Sequence, residues 1–171
     1  MRKSLMILPA ALAIGIAGCG ASYSAGSPAS APASAAAGKH AVVKTRHGKL
    51  GTFLVDGSGR TLYLFRKDTS AKSRCSGACA AAWPPLTTRE KPEAEGGAKA
   101  AMLSTSKRSA GVRQVVYNGH PLYRYAPDTA AGQTRGQGVN AFGARWYVVA
   151  TSGRAITAAP GGSSTPSPYG Y

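Results

Sequence analysis

The chain has 171 residues, among them 22 Gly and 11 Pro, which leaves room for one ordinary domain or two very small ones and excludes a protein of long helices. Lys and Arg outnumber Asp and Glu 21 to 6, a formal charge of +15 that asks for an anionic neighbour without choosing between phospholipid, an envelope polymer and nucleic acid. Hydrophobic residues make up 43%, enough to bury a core, and three Cys are too few for a disulfide-dense miniprotein.

Arg2 and Lys3 open the chain, an apolar run follows over residues 5–17, and the small residues Gly18 and Cys19 close it, which is the layout of a secretory signal. The run is about 13 residues, short of the roughly 20 that span a bilayer. Ile16-Ala17-Gly18-Cys19 resembles the bacterial lipobox. That resemblance implies removal of residues 1–18, acylation of Cys19, and anchoring in the lipid bilayer on the outer face of the cell membrane. With each buried methylene contributing about 0.8 kcal/mol, two or three acyl chains hold far more firmly than one.

Residues 19–39 are nearly all Ala, Ser, Gly and Pro without periodicity, a flexible tether with a reach of roughly 25 Å. Residues 158–171 have the composition of a disordered tail. The folded body is therefore expected over residues 40–157. Without Arg2 and Lys3 the mature chain still carries 19 basic against 6 acidic side chains, so the excess charge belongs to the protein and not to its export signal.

An internal repeat organises the body. Shifting the chain by 60 residues aligns residues 42–69 with 102–129 without a gap, and eight of 28 columns match, including Val55 with Val115, Leu62 with Leu122, Tyr63 with Tyr123 and Asp68 with Asp128. Chance gives about two. Trp83 and Trp146 correspond after a three-residue length change, so the repeats run over about 40–86 and 100–150.

Residues 42–45 and 52–55 read as strands, and Asp56-Gly57-Ser58-Gly59 predicts a turn into a third at 61–65. In the second unit Asn118-Gly119, a strong hairpin signal, joins strands at 113–117 and 121–125. Residues 83–86 and 146–150 predict one further strand each, the first limited by Pro84-Pro85. The fold expected is all-β, a small sandwich or barrel of about eight short strands built from two similar meander repeats.

Tyr63-Leu64-Phe65-Arg66-Lys67-Asp68 and Tyr123-Arg124-Tyr125-Ala126-Pro127-Asp128 both fit Tyr-x-aromatic-x-x-Asp. With Cys75-Ser76-Gly77-Ala78-Cys79, Trp83-Pro84-Pro85-Leu86, Asn118-Gly119-His120-Pro121 and Gly136-Gln137-Gly138 before Trp146, the body resembles the bacterial secreted-repeat lipoproteins that carry this motif. The resemblance implies an exported protein and a two-repeat body; it carries no established activity and no catalytic residues.

On a strand, Tyr63 shares a face with Phe65, and Tyr123 with Tyr125. Asp68 and Asp128 fall where the strand ends and can bind the N–H groups of a turn. The motif is thus an aromatic core pair with a turn-fixing carboxylate or, alternatively, an aromatic ledge for a glycan, a quinone or a haem-like plane.

Cys75 and Cys79 are an even pair in an oxidising compartment once Cys19 is acylated, and a disulfide between them is expected. The alternative is accessory redox or Cu(I) handling through the same pair. His40, His47 and His120 have no metal-ligand spacing, and His120 is expected in an exposed turn. The glycines around Arg135 lack the Lys and Ser/Thr of a phosphate loop and read as a flexible connector. No nucleophile elbow or other catalytic constellation is present, and no nucleic-acid signature. The expectation is a non-enzymatic envelope protein without cofactor or metal. Its partners would be the bilayer and, beyond it, anionic envelope polymers or another envelope protein.

Overall fold

The computed structural model describes residues 40–108 and 111–157. The signal, Cys19, the tether and the tail lie outside the described residues. The body opens with a hairpin of β1 (Val42–Gly48) and β2 (Gly51–Asp56), registered from Val43 opposite Asp56 to Gly48 opposite Gly51. Then come β3 (Tyr63–Phe65), the one-turn helix α1 (Ala78–Ala82), β4 (Thr87–Thr88) and β5 (Glu93–Ala94). The second repeat supplies β6 (Leu103–Lys107), β7 (Arg113–Tyr117), β8 (His120–Pro121), β9 (Asn140–Ala141) and β10 (Ala144–Val148). The sheets run β2-β1-β5, β3-β10-β9 and β4-β7-β6, with β8 also on β7. The all-β expectation holds, and among the described residues no barrel closes; the strand number exceeds eight because β4, β5, β8 and β9 are two-residue pairings.

Residues 83–86 depart from the expected strand. The Ala-rich stretch ahead of them favours helix, so α1 forms and Trp83 ends it, its N–H donating to the Cys79 carbonyl at 2.8 Å. Pro84 and Pro85 cannot continue a helix and lack N–H donors. The extended stretch they begin pairs through Pro84 O, which accepts from Arg124 N–H at 2.8 Å, and through Leu86 N–H, which donates to Leu122 O at 2.9 Å. Likewise residues 121–125 form less strand than expected: β8 ends at Pro121, and Tyr123 pairs singly with Tyr63 and with Pro85.

The two repeats are interleaved. Tyr63 N–H donates to Tyr123 O (2.8 Å) and Tyr123 N–H to Tyr63 O (3.0 Å), so the motif tyrosines face each other across an approximate twofold. Each Trp-bearing segment then leaves its own repeat for the other: β10 pairs with β3, Trp146 opposite Phe65, while residues 84–86 pair along Leu122, Tyr123 and Arg124.

The same bonds correct the ungapped alignment in one place. Leu62 N–H donates to Leu54 O, and Leu122 N–H to Val115 O; Leu54 N–H donates to Val149 O, and Val115 N–H to Leu86 O. Leu54, not Val55, is thus the counterpart of Val115. The second repeat has an extra residue in its first turn and one fewer in its second, where Asn118 and Gly119 replace Gly57, Ser58 and Gly59, so only β7 is out of step.

Alternation along the strands builds two core layers. Leu54, Leu62, Leu64, Val115, Tyr117, Leu122 and Val149 fill one. Phe53, Val55, Tyr63, Phe65, Tyr123, Trp146 and Val148 fill the other, with Trp83 and both sulfurs. β3 lies between the layers and is buried on both faces. Each such side chain contributes about 1.5–3 kcal/mol by leaving water.

Candidate functional site: the exchanged Tyr and Asp motifs

Each motif completes the other. The Tyr63 hydroxyl donates to Asp128 Oδ2 and the Tyr123 hydroxyl to Asp68 Oδ2, both at 2.5 Å. The other carboxylate oxygen holds the loop that follows it: Asp68 Oδ1 accepts from Arg74 N–H at 2.7 Å, and Asp128 Oδ1 from Arg135 N–H at 3.0 Å. Both aspartates also close a turn with their own N–H, to Phe65 O and Tyr125 O, each at 3.0 Å. The turn-fixing role is present, and with it a bond to the opposite repeat that spacing alone does not disclose.

Burial governs the electrostatics of these groups. It raises the carboxyl pKa values of Asp68 and Asp128 above the ordinary range, and the bonds from Tyr123 and Tyr63 and from the loop N–H groups only partly offset it. Burial, followed by the neighbouring carboxylate, pushes both phenols well above their usual value. The phenols therefore keep their protons and act as donors.

The aromatic residues of both repeats form one column. Phe65 stacks on Trp146 (centroids 4.0 Å, planes 8° apart), Trp146 on Trp83 (4.0 Å, 3°), and Trp83 on Tyr125 (4.1 Å, 27°). Tyr63 meets Trp83 edge-on at 5.4 Å, and Tyr123 meets Trp146 edge-on at 5.1 Å. The column obeys the same twofold, since Phe65 corresponds to Tyr125 and Trp146 to Trp83. Both tryptophan faces are covered by neighbouring rings, and Tyr63, Phe65, Tyr123, Trp83 and Trp146 are buried, while Tyr125 at the end of the column is half-buried.

Gly136 is part of this centre. A Cβ there would lie 2.7 Å from Trp83 Cη2 and 2.9 Å from Tyr63 Cε1, and its N–H donates to the Tyr63 hydroxyl at 3.3 Å. Only glycine fits. The segment read as a flexible connector is anchored: Gly138 N–H donates to Trp146 O, and Gln137 Oε1 accepts from Val148 N–H, both at 2.9 Å. The visible signal was Gly-Gln-Gly ahead of Trp146; its meaning needed the tryptophan from the other repeat.

Cys75 and Cys79 are joined, Cα atoms 5.3 Å apart and both buried. Arg108, from the second repeat, clasps this loop: Nη1 donates to Ser73 Oγ (2.8 Å) and Gln114 Oε1 (2.6 Å), and Nη2 to Cys75 O (2.8 Å). Among the described residues no group of His, Cys, Asp and Glu gathers as a metal site would require, and no helix is long and apolar enough to cross a membrane. His120 is not in an exposed turn; it pairs with Tyr117 in β8, half-buried, where burial and Arg66 lower its pKa.

One buried ion pair has no signal in the sequence. Asp56, read as a turn residue, is buried; Oδ1 accepts from Ser58 N–H (2.9 Å), Ser58 Oγ (2.6 Å) and Arg60 N–H (3.0 Å), and Oδ2 accepts from Arg124 Nε (2.5 Å). Burial raises its pKa, but Ser58 and Arg124 outweigh that and the result is below the ordinary range. A shallow cleft of about 230 Å³ opens beside this pair, lined by His40, Val42, Ser58 and Leu86.

No curated protein and no solved structure matches the chain. A family described as a secreted repeat of unknown function matches residues 44–87 and 104–150, more than half of the chain and both units of the interleaved body. With the motif in both copies and each copy completing the other, the chain belongs to this family of secreted repeats.

Proposed function

We propose that the protein is a lipid-anchored component of the cell envelope with a non-catalytic binding or structural role. Residues 1–18 direct export, Cys19 carries the acyl chains, and residues 19–39 hold the body off the bilayer. Its further contacts are anionic envelope polymers or another envelope protein. The observation that carries the non-catalytic part is the use of the motif inside the fold. Tyr63, Tyr123, Asp68 and Asp128 are buried and already bonded to one another and to loop N–H groups, so none is free to act on a substrate.

The anchoring part rests on the lipobox-like segment, and mass spectrometry of the amino-terminal peptide from envelope-isolated protein tests it. The expected peptide begins at Cys19 and carries acyl groups, and Cys19→Ala releases a folded body from the membrane fraction. An unmodified Cys19 in envelope protein, or wild-type protein found only in the cytosol, contradicts it. For the redox or Cu(I) alternative, thiols titrated in the same preparation decide: a stable bond between Cys75 and Cys79 supports the proposal, and reversible cycling with Cu(I) capture supports the alternative.

A further inference from the structure

Two hairpins in the body close with two residues that both have positive φ. In β7–β8 these are Asn118 (47°) and Gly119 (80°), and in β9–β10 they are Phe142 (57°) and Gly143 (89°). Asn-Gly is what such a turn favours, because both residues tolerate left-handed backbone; a bulky aromatic does not. Phe142 belongs to neither core cluster. Phe142 is 42% exposed, the one exposed large hydrophobic among the described residues. A strained, solvent-facing Phe therefore stands where folding alone favours Asn, and an outlier of this kind points to function.

Cations surround it. Lys67 Nζ donates to the Phe142 carbonyl at 3.2 Å and lies 3.3 Å from where a Cβ on Gly143 would be. Arg66 N–H donates to Arg145 O at 3.0 Å, which brings two more exposed cations to the base of the same hairpin. Exposed carboxylates are elsewhere. Asp56, Asp68 and Asp128 are buried and internally bonded, and the three Glu sit in residues 90–95, where Glu93 and Glu95 meet His40 and Lys44 along the β1–β5 edge.

We propose that the β9–β10 tip is a membrane-docking site: Phe142 enters the boundary between headgroups and acyl chains of an anionic bilayer while Arg66, Lys67 and Arg145 meet lipid phosphates. A bilayer, and not a soluble polyanion, is the occupant because a hydrated polymer offers nothing in which to bury the ring, whereas an aromatic tip flanked by cations matches both layers of an interface. This goes beyond the anchoring reading and holds whether or not Cys19 is acylated.

The test is co-sedimentation of unacylated protein beginning at residue 20, which retains both core clusters. Vesicles of phosphatidylcholine with phosphatidylglycerol are compared with phosphatidylcholine alone. The wild type partitions onto the anionic vesicles and only weakly onto the neutral ones. Phe142→Asn lowers the partition coefficient about tenfold, with Tm unchanged or raised because Asn suits the turn. Lys67→Gln with Arg145→Gln weakens binding and flattens its salt dependence. The proposal is overturned by absence of wild-type binding, by equal binding to neutral vesicles, or by unchanged binding of Phe142→Asn. It is equally overturned if dissolved polyphosphate binds wild type and Phe142→Asn alike and displaces both from vesicles, which reduces the patch to charge alone.

Discussion

The loop after Asp68 and the loop after Asp128 begin with the same carboxylate turn and end against the same tryptophan column, yet different chemistry holds them. The first is closed by the Cys75–Cys79 bond and clasped by Arg108. The second has no cysteine and relies on fit: Gly136 wedged between Trp83 and Tyr63, Gln137 tied to Val148 and Ile156, and Gly132 N–H bonded to Gly59 O at 3.0 Å. What the repeats share is the exchanged Tyr–Asp bond and the ring column, the parts that work only when both copies are present. What they do not share is the means of pinning a loop, which each copy solves with its own side chains.

Changes to the shared parts cost most. Trp146→Ala removes the centre of the column and opens a cavity, and the expected loss is about 3–5 kcal/mol in urea unfolding, with Trp83→Ala equal to it within error. Unequal values mean that one repeat dominates the core. Next is Gly136→Ala, whose methyl meets ring atoms on two sides. A loss of about 3 kcal/mol is expected, while Ala at exposed Gly111, where a Cβ meets nothing within 4 Å, acts only through its backbone angle. Replacing Cys75 and Cys79 together by Ala costs about 2 kcal/mol, the chain-entropy value for so short a loop. The coupling between Tyr63 and Asp128 in a double-mutant cycle stays as in wild type, because that bond belongs to the other loop.

The smallest effect is on pH dependence, and its sign differs between groups. Asp68 and Asp128 titrate higher in the folded chain than in the unfolded one, so the stabilisation from their protonation is fully present below the unfolded value, about 3.9, and is lost as pH rises through the folded one. Asp56 titrates lower when folded, so its contribution is present above the unfolded value and lost as pH falls through the folded one. Thermal unfolding across the acidic range therefore shows Asp56→Asn losing acid sensitivity, whereas Asp68→Asn and Asp128→Asn become more acid-sensitive than wild type.

Much of this was legible in the chain. The 60-residue offset located both motifs, Asn118-Gly119 marked its hairpin, and Cys75 with Cys79 announced a bond. The exchange was not legible, because two copies of one motif leave each phenol a choice between its own carboxylate and the other, and a linear pattern is the same for both. Both Trp-bearing segments predict strand, yet only Trp146 lies in one; the Ala run before Trp83 and the two prolines after it decide otherwise. Arg124 sits at an x position of the motif, where Leu64 stands in the first copy, so nothing in the repeat marks it as the partner of Asp56. Phe142 carries no signal in the sequence, because a single exposed aromatic has no periodicity; its backbone angle marks it.

The exchange itself is the central claim, and a double-mutant cycle tests it most directly. Tyr63→Phe and Asp128→Asn, made singly and together, should show a coupling of about 1 kcal/mol or more, and Tyr123→Phe with Asp68→Asn the same. Tyr63→Phe with Asp68→Asn, the pair within one repeat, should be close to additive. Stronger coupling of Tyr63 to Asp68 than to Asp128 would contradict an interleaved body in which each repeat completes the other.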